Sequence, residues 1–177
     1  LVLLPLWHPV LVAEMLSTLA SITSSRFVLQ AGIGYGKKQF SALSADYERR
    51  GERFEQALNI LKALWSGEIV TNELWEVERA VISPTPSEPI PIWIGATAPV
   101  ALKRVARMGH SWLADPGLTK PDLLLKRDLY LAECEAQGSC HASQMAVRRD
   151  VHVAGSRREA DSLKVDIESS LYRGIDP

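Results

Sequence analysis

The chain has 177 residues, with 20 Lys+Arg against 21 Asp+Glu, a net charge of −1, 46% hydrophobic and 23% charged residues. That is globular composition, of a size that builds its core without staples, and it argues against extended disorder. The balanced charge excludes the basic signature of a nucleic-acid binder, and no apolar run approaches the roughly 18 to 20 residues of a membrane span.

Leu1 to Leu4 is a continuous apolar run, as in a strand buried on both faces. There is no initiator Met and no basic region before it, so the opening reads as a strand entered midway in a longer protein. Pro9 suits a first helical position, and Val12, Leu16 and Leu19 recur at helical spacing. Glu14 is the only charge between Pro9 and Ser25, so this helix is apolar nearly all round. Core packing accounts for that, and so does a subunit interface or a surface covered by further chain.

A second strand runs over Arg26–Ala31 into the glycine-rich turn Gly32–Gly36. Tyr47 to Trp65 is an amphipathic helix with Phe54, Leu58, Leu61 and Trp65 inward and Glu48, Arg49, Glu52, Arg53 and Glu55 on the wet side. Residues 69–71 and 75–82 alternate as in a small hairpin, and Pro84, Pro86 and Pro89 hold an extended link. Pro91–Gly95 is a third buried strand. Pro99 opens a helix with Leu102, Val105 and Ala106 inward and Lys103, Arg104 and Arg107 outward, stopped by Gly109. His110–Ala114 is a short fourth strand.

Thr119 starts a helix whose expected inner face is Leu125, Leu129, Ala132 and Ala136. Met145–Ala154 is a fifth strand, Ser156 to Glu159 has capping-box spacing, and Leu163, Ile167 and Leu171 carry a last helix. Cys134 and Cys140 make no disulfide framework and read as free thiols of a reducing, cytoplasmic compartment. Five strand–helix units with buried strands mean a parallel sheet, either an open doubly wound sheet or part of a (β/α)8 barrel. Five strands cannot close eight, and a whole barrel takes roughly 250 residues.

The chemistry-bearing residues sit at strand ends. Gly32–Gly36 fails as a P-loop, because Ala31 stands where the first Gly belongs and Lys38 where the magnesium-binding Ser/Thr belongs. It fails as a dinucleotide fingerprint on glycine spacing and on the late start of the next long helix. A ligand-free glycine turn and a turn facing a cofactor both remain open. Gly95, Ala96, Thr97, Ala98 and Pro99 make the better phosphate candidate, since a buried strand ends there and a helix begins. His8 follows the first strand at the same sheet edge, to line a site or to cap and pack. His152 alternates with Val151 and Val153 and reads as structural; Trp112 could stack on a flat ligand or serve the core. No two of the four histidines have metal-ligand spacing.

Five stretches resemble the bacterial luciferase-like monooxygenase family, which includes flavin-dependent and coenzyme F420-dependent oxidoreductases. They run from Leu3 to Val10, Arg26 to Gly34, Phe40 to Trp65, Pro91 to Trp112, and Arg148 to Ala154. The resemblance implies an incomplete (β/α)8 TIM-barrel domain over residues 1–177, with about five βα units, the third to the seventh. It implies a cofactor, FMN or alternatively F420, at the C-terminal mouth. By that likeness Gly95, Ala96, Thr97, Ala98 and Val100 cradle its phosphate, while Gly34, Tyr35 and Gly36 approach the ring and ribityl chain. Ile33 stands where some members carry a basic residue, Ser24 and Ser25 replace a usual glycine pair, and Ala20 sits where Asp is common. The implied reaction is oxygenation of a small organic substrate by reduced FMN and O2, or alternatively hydride transfer with F420. A flavin reductase as electron donor and a homodimer of the complete protein are implied partners. A catalytically inactive barrel fragment with a structural role, and an independent phosphate-binding doubly wound domain, are the other readings. His8 is the single candidate catalytic residue.

Overall fold

The structure, a computed structural model, describes residues 1–24, 26–108, 110–138, 145–149, 151 and 153–162. Its main sheet has five parallel strands, β1 (Val2–Leu3), β2 (Leu29–Gly32), β5 (Ile92–Gly95), β6 (Ser111–Ala114) and β7 (Ala146–Val147), in that spatial order. Between β2 and β5 the chain makes an antiparallel excursion, β3 (Val70–Asn72) and β4 (Val77–Ala80). Each main strand lies beside the next in the chain, so the order never reverses. A doubly wound sheet would reverse at a switch point; this sheet is an arc of a (β/α)8 barrel.

The helices are α1 (Pro9–Thr23), α2 (Lys37–Ala42), α3 (Arg50–Trp65), α4 (Pro99–Arg107) and α5 (Lys120–Ala136). Alternation along the strands separates two faces. Leu29, Ala31, Ile92, Ile94, Trp112 and Ala114 join one core cluster with Phe54, Leu58, Leu61, Leu102 and Val105 of α3 and α4. The opposite face presents Leu3, Gln30, Trp93, Gly95 and Ser111, all half-buried, as the lumen side of an arc must when its strands point alternate side chains inward.

Several elements start or end away from their expected positions. The first strand stops at Leu3, because Pro5 turns residues Leu4–Leu6 into a 3₁₀ turn. The helix expected from Tyr47 begins at Arg50; Asp46 Oδ1 instead accepts from the backbone N–H groups of Glu48 and Arg49 at 2.9 and 3.2 Å. A short helix, α2, follows Gly36 where only a loop was expected. Of the expected inner face of α5, Leu129 packs against the core but Leu125, Ala132 and Ala136 are exposed, and Leu123, Tyr130 and Cys134 turn inward instead. Tyr130 wins that place because its phenol donates to the His110 carbonyl at 2.8 Å and its ring lies 5.9 Å from that of Trp112. Arg53 and Glu55 are not on a wet face. The Arg53 guanidinium lies 3.7 Å over the Trp75 ring and donates to the Pro5 carbonyl, while Glu55 binds Arg104 and Arg107 of α4.

On α1, Val12, Ala13, Ser17 and Ala20 are buried, and Leu11, Met15, Leu19 and Ile22 form an exposed apolar stripe. The Ser17 hydroxyl donates to the Pro84 carbonyl, tying α1 to the proline link. Of the expected fifth strand, Ala146–Val147 pairs with β6, and Val151 and Val153 are exposed. The Ser156 cap forms: Glu159 N–H donates to Ser156 Oγ at 3.2 Å, and Glu159 Oε2 accepts from Gly155 N–H at 2.9 Å. Gly109, Cys140, His141, His152 and the last expected helix face lie outside the described residues. Cys134 is buried and joins no disulfide among the described residues. No helix among the described residues is long and apolar enough to cross a membrane.

Candidate functional site

All five strands point the same way, so the segments leaving their C-terminal ends share one rim. Register orders them. Leu3 pairs with Gly32 and Ala31 with Ile94, so the turns after β2 and β5 stand side by side, one strand spacing of about 4.8 Å apart. The 3₁₀ turn and His8 flank the first of these turns, and Asp115 to Thr119, after β6, flank the second.

In the turn after β2, Gly34 is buried with φ +77, and a Cβ there would stand 3.0 Å from Phe40 Cε2. Only glycine takes that backbone without strain against the Phe40 ring. Tyr35 is exposed beside it, and Gly36 caps α2, where Lys37 and Lys38 begin the helix. Lys37 Nζ lies 5.2 Å from the Tyr47 ring, and Arg50 stacks on the same ring at 3.7 Å. The turn is thus walled by an aromatic and bordered by cations.

The turn after β5 is built from small residues for a visible reason. A Cβ on Gly95 would meet Leu1 Cδ1 at 3.3 Å and the Ala31 carbonyl oxygen at 3.6 Å, so β2 and β5 close up beneath the rim. Ala96 is buried, whereas Thr97, Ala98 and Val100 are exposed. The carbonyls are committed: Trp112 Nε1 donates to Ala96 O at 2.8 Å, Lys126 Nζ donates to Thr97 O at 2.9 Å, and Ala98 O accepts from Ala101 and Leu102 of α4. The N–H groups of Thr97, Ala98 and Val100 make no hydrogen bond among the described residues. Pro99 has no N–H to give, and the first turn of α4 carries no acid. A turn with its carbonyls held and its N–H groups uncommitted, at a helix N-terminus, suits an anion.

The expected residues therefore fall into two places. Gly34, Tyr35, Gly36, Gly95, Ala96, Thr97, Ala98 and Val100 lie on adjacent strand ends. His8 lies at the next strand end, where its ring meets Trp75 edge-on at 6.2 Å, and its side chain caps no N–H of α1. Trp112 is fully buried, with no ring face open to a ligand, and its indole braces the Ala96 carbonyl. Lys126 and Trp93 were not anticipated. Lys126 sits between Leu123 and Tyr130 on the sheet-facing stripe of α5, and a cation at an inward position is the signal that could have exposed it. Trp93 faces the lumen with a buried indole nitrogen that has no partner among the described residues. No group of three or more metal-ligating side chains occurs among the described residues.

An arc of parallel strands, helices on its outer side and an anion-receptive turn on its C-terminal rim define the carboxyl-end site of a (β/α)8 enzyme fold. The sequence matches the luciferase-like monooxygenase family over residues 1–171, and the chain belongs to that family. It is similar to an F420-dependent glucose-6-phosphate dehydrogenase of Nakamurella multipartita, 30% identical over 115 residues, covering 63% of this chain and 34% of that protein. Its fold superposes on a monooxygenase from Streptomyces bottropensis with a TM-score of 0.71 at 20% identity, covering 93% of this chain and 52% of that one. A type II Baeyer–Villiger monooxygenase of Pseudomonas putida, solved with FMN, gives a TM-score of 0.69 at 18% identity over 93% and 50% of the two chains. The chain spans about half or less of the length of these proteins.

Proposed function

We propose that the chain is the cofactor-holding part of an oxidoreductase, binding a phosphate-bearing deazaflavin or flavin on the rim formed by the turns after β2 and β5. The observation that carries this is the pairing of those two turns, one glycine-rich with Tyr35 exposed beside Gly34, the other offering N–H groups of Thr97, Ala98 and Val100 that are uncommitted among the described residues. The donor set suits the phosphate, and the turn at Gly34, with Tyr35 and Gly36, offers a narrow backbone surface to the ring and its chain. The F420-dependent dehydrogenase at 30% identity supports F420 over FMN, because the FMN-bound likeness at 18% speaks for the fold alone.

When bound, the ring supplies two-electron chemistry, as hydride exchange for the deazaflavin or, for reduced FMN with O2, as oxygenation of a small organic substrate. The chain's own residues bind and orient. The turn 96–98 and Val100 hold the anion, Gly34 lets the backbone come close, and His8 is the imidazole on this rim, among the described residues, that could hold a proton. In this reading residues 1–177 are units three to seven of an incomplete barrel domain. The complete protein is a homodimer, served by a reductase if it uses flavin.

The test is a fluorescence titration of the purified chain with F420 and with FMN. Saturable change with either is expected, and silence with both overturns the proposal. Thr97→Asp places a carboxylate beside the anion and is expected to weaken binding at least about ten-fold. Unchanged affinity would move the phosphate elsewhere.

A further inference from the structure

Two side chains from the following unit grip the carbonyl side of the turn after β5. One is the buried Trp112 on Ala96 O, and the other is Lys126 on Thr97 O. Trp112 is neutral and enclosed, so it can only fix the shape of the turn. Lys126 is half-exposed and carries a full charge. An ammonium has three donors; Thr97 O takes one at 2.9 Å, and among the described residues no ion pair or further hydrogen bond takes the other two. Its helical neighbours use their charges elsewhere. Arg127 pairs with Asp128 at 2.7 Å, Asp122 accepts from the Thr119 hydroxyl at 2.6 Å, and Glu133 faces Lys103 at 3.8 Å.

Its place in the sequence supports a purpose beyond surface charge. Lys126 is three residues from Leu123 and four from Tyr130, on the stripe of α5 that packs inward, where an apolar residue would be the ordinary choice. Its ammonium reaches the Thr97 carbonyl on the turn after β5.

We propose that Lys126 is the charged member of the anion cradle: it holds the Thr97 carbonyl and turns its remaining donors to the phosphate of the cofactor. This rests on the cofactor reading above and adds the residue that makes the cradle selective for a phosphorylated ligand over the same ring without phosphate. A charge-assisted contact to phosphate is among the stronger hydrogen bonds available to a protein and is sensitive to salt.

The experiment compares equilibrium binding of FMN with riboflavin, and of F420 with its phosphate-free chromophore, by fluorescence at low and high NaCl. Lys126→Met is expected to weaken the phosphorylated ligand about ten-fold, leave the phosphate-free ring unchanged, and flatten the salt dependence. Lys126→Gln keeps a donor for Thr97 O without the charge and is expected to behave as Met, whereas Lys126→Arg retains most of the preference. Equal losses for both ligands would mean that Lys126 only shapes the turn. That result, or no loss at all, overturns this inference while leaving the cofactor reading intact. Failure of the unsubstituted chain to bind any of the four ligands overturns both.

Discussion

His110 lies just before β6, at the end of the sheet opposite the rim, with its Nε2 buried and unpartnered among the described residues. Burial, assisted by the nearby Lys62 charge, lowers its pKa to about 4. An unfolded chain protonates this ring near 6.5, so between those values the unfolded state binds more protons. Stability contributed by the neutral ring is therefore complete above about pH 6.5 and drains away as pH falls toward 4. We expect a loss on the order of 3 kcal/mol across that window. Urea denaturation at pH 7 and pH 4.5 measures it, and His110→Gln should flatten the acid side. A ring that titrates near 6.5 in the folded protein by NMR would refute the prediction. The sequence places His110 at the start of a short strand, but its Lys62 neighbour, 48 positions earlier in the chain, cannot be seen there. Gly34 was easier to read, because a glycine-rich stretch leaving a strand announces unusual backbone whatever its ligand. His8 was the harder case: its neighbour Trp75 is 67 positions along the chain and reaches it only through the β3–β4 excursion.

Helix α3 shows which features of an element a one-dimensional pattern carries. Its apolar stripe of Phe54, Leu58 and Leu61 is buried as the period requires. Its charged residues could not be assigned in the same way, since their partners belong to other elements. Glu55 accepts from Arg104 at 2.6 Å and from Arg107 at 2.9 Å, so one carboxylate clamps α3 to α4. The two arginines are unequal, with side chains 18% and 56% exposed. Removing Glu55 strands the sheltered guanidinium, and Glu55→Ala should cost about 1–3 kcal/mol. Arg107→Ala should cost under about 1 kcal/mol, as exposed pairs do. Thermal denaturation of the two variants checks the ranking, and equal effects would contradict it. The misassigned face of α5 has a related cause. Leucines are frequent on all sides of that helix, and the deciding contacts, Tyr130 to the His110 carbonyl and Lys126 to Thr97, are polar bonds to distant backbone that no hydropathy pattern records.

At the scale of the whole molecule, the repeating strand–helix order was enough to predict a parallel sheet but not to choose between flat and closed forms. The strand order decides it, since β1, β2, β5, β6 and β7 succeed one another without reversal. The same arc leaves Leu11, Met15, Leu19 and Ile22 of α1 exposed as a continuous stripe, with Glu14 the only formal charge on the helix. An apolar surface of this kind promotes association. Met15→Glu with Ile22→Glu should therefore shift the sedimentation profile toward monomer and reduce hydrophobic-dye binding. A chain already monomeric and dye-silent before substitution would contradict this.

Because the Trp112 indole hangs from the Ala96 carbonyl, directly beneath the proposed anion seat, the protein carries an optical gauge of that seat. Tightening of the turn would alter the environment of a fixed, water-excluded emitter. A tricyclic chromophore lodged above it would also drain its excitation by dipole coupling. Substituting the other four tryptophans, Trp7, Trp65, Trp75 and Trp93, with phenylalanine would leave an emission spectrum that reports the occupied fraction of that seat alone.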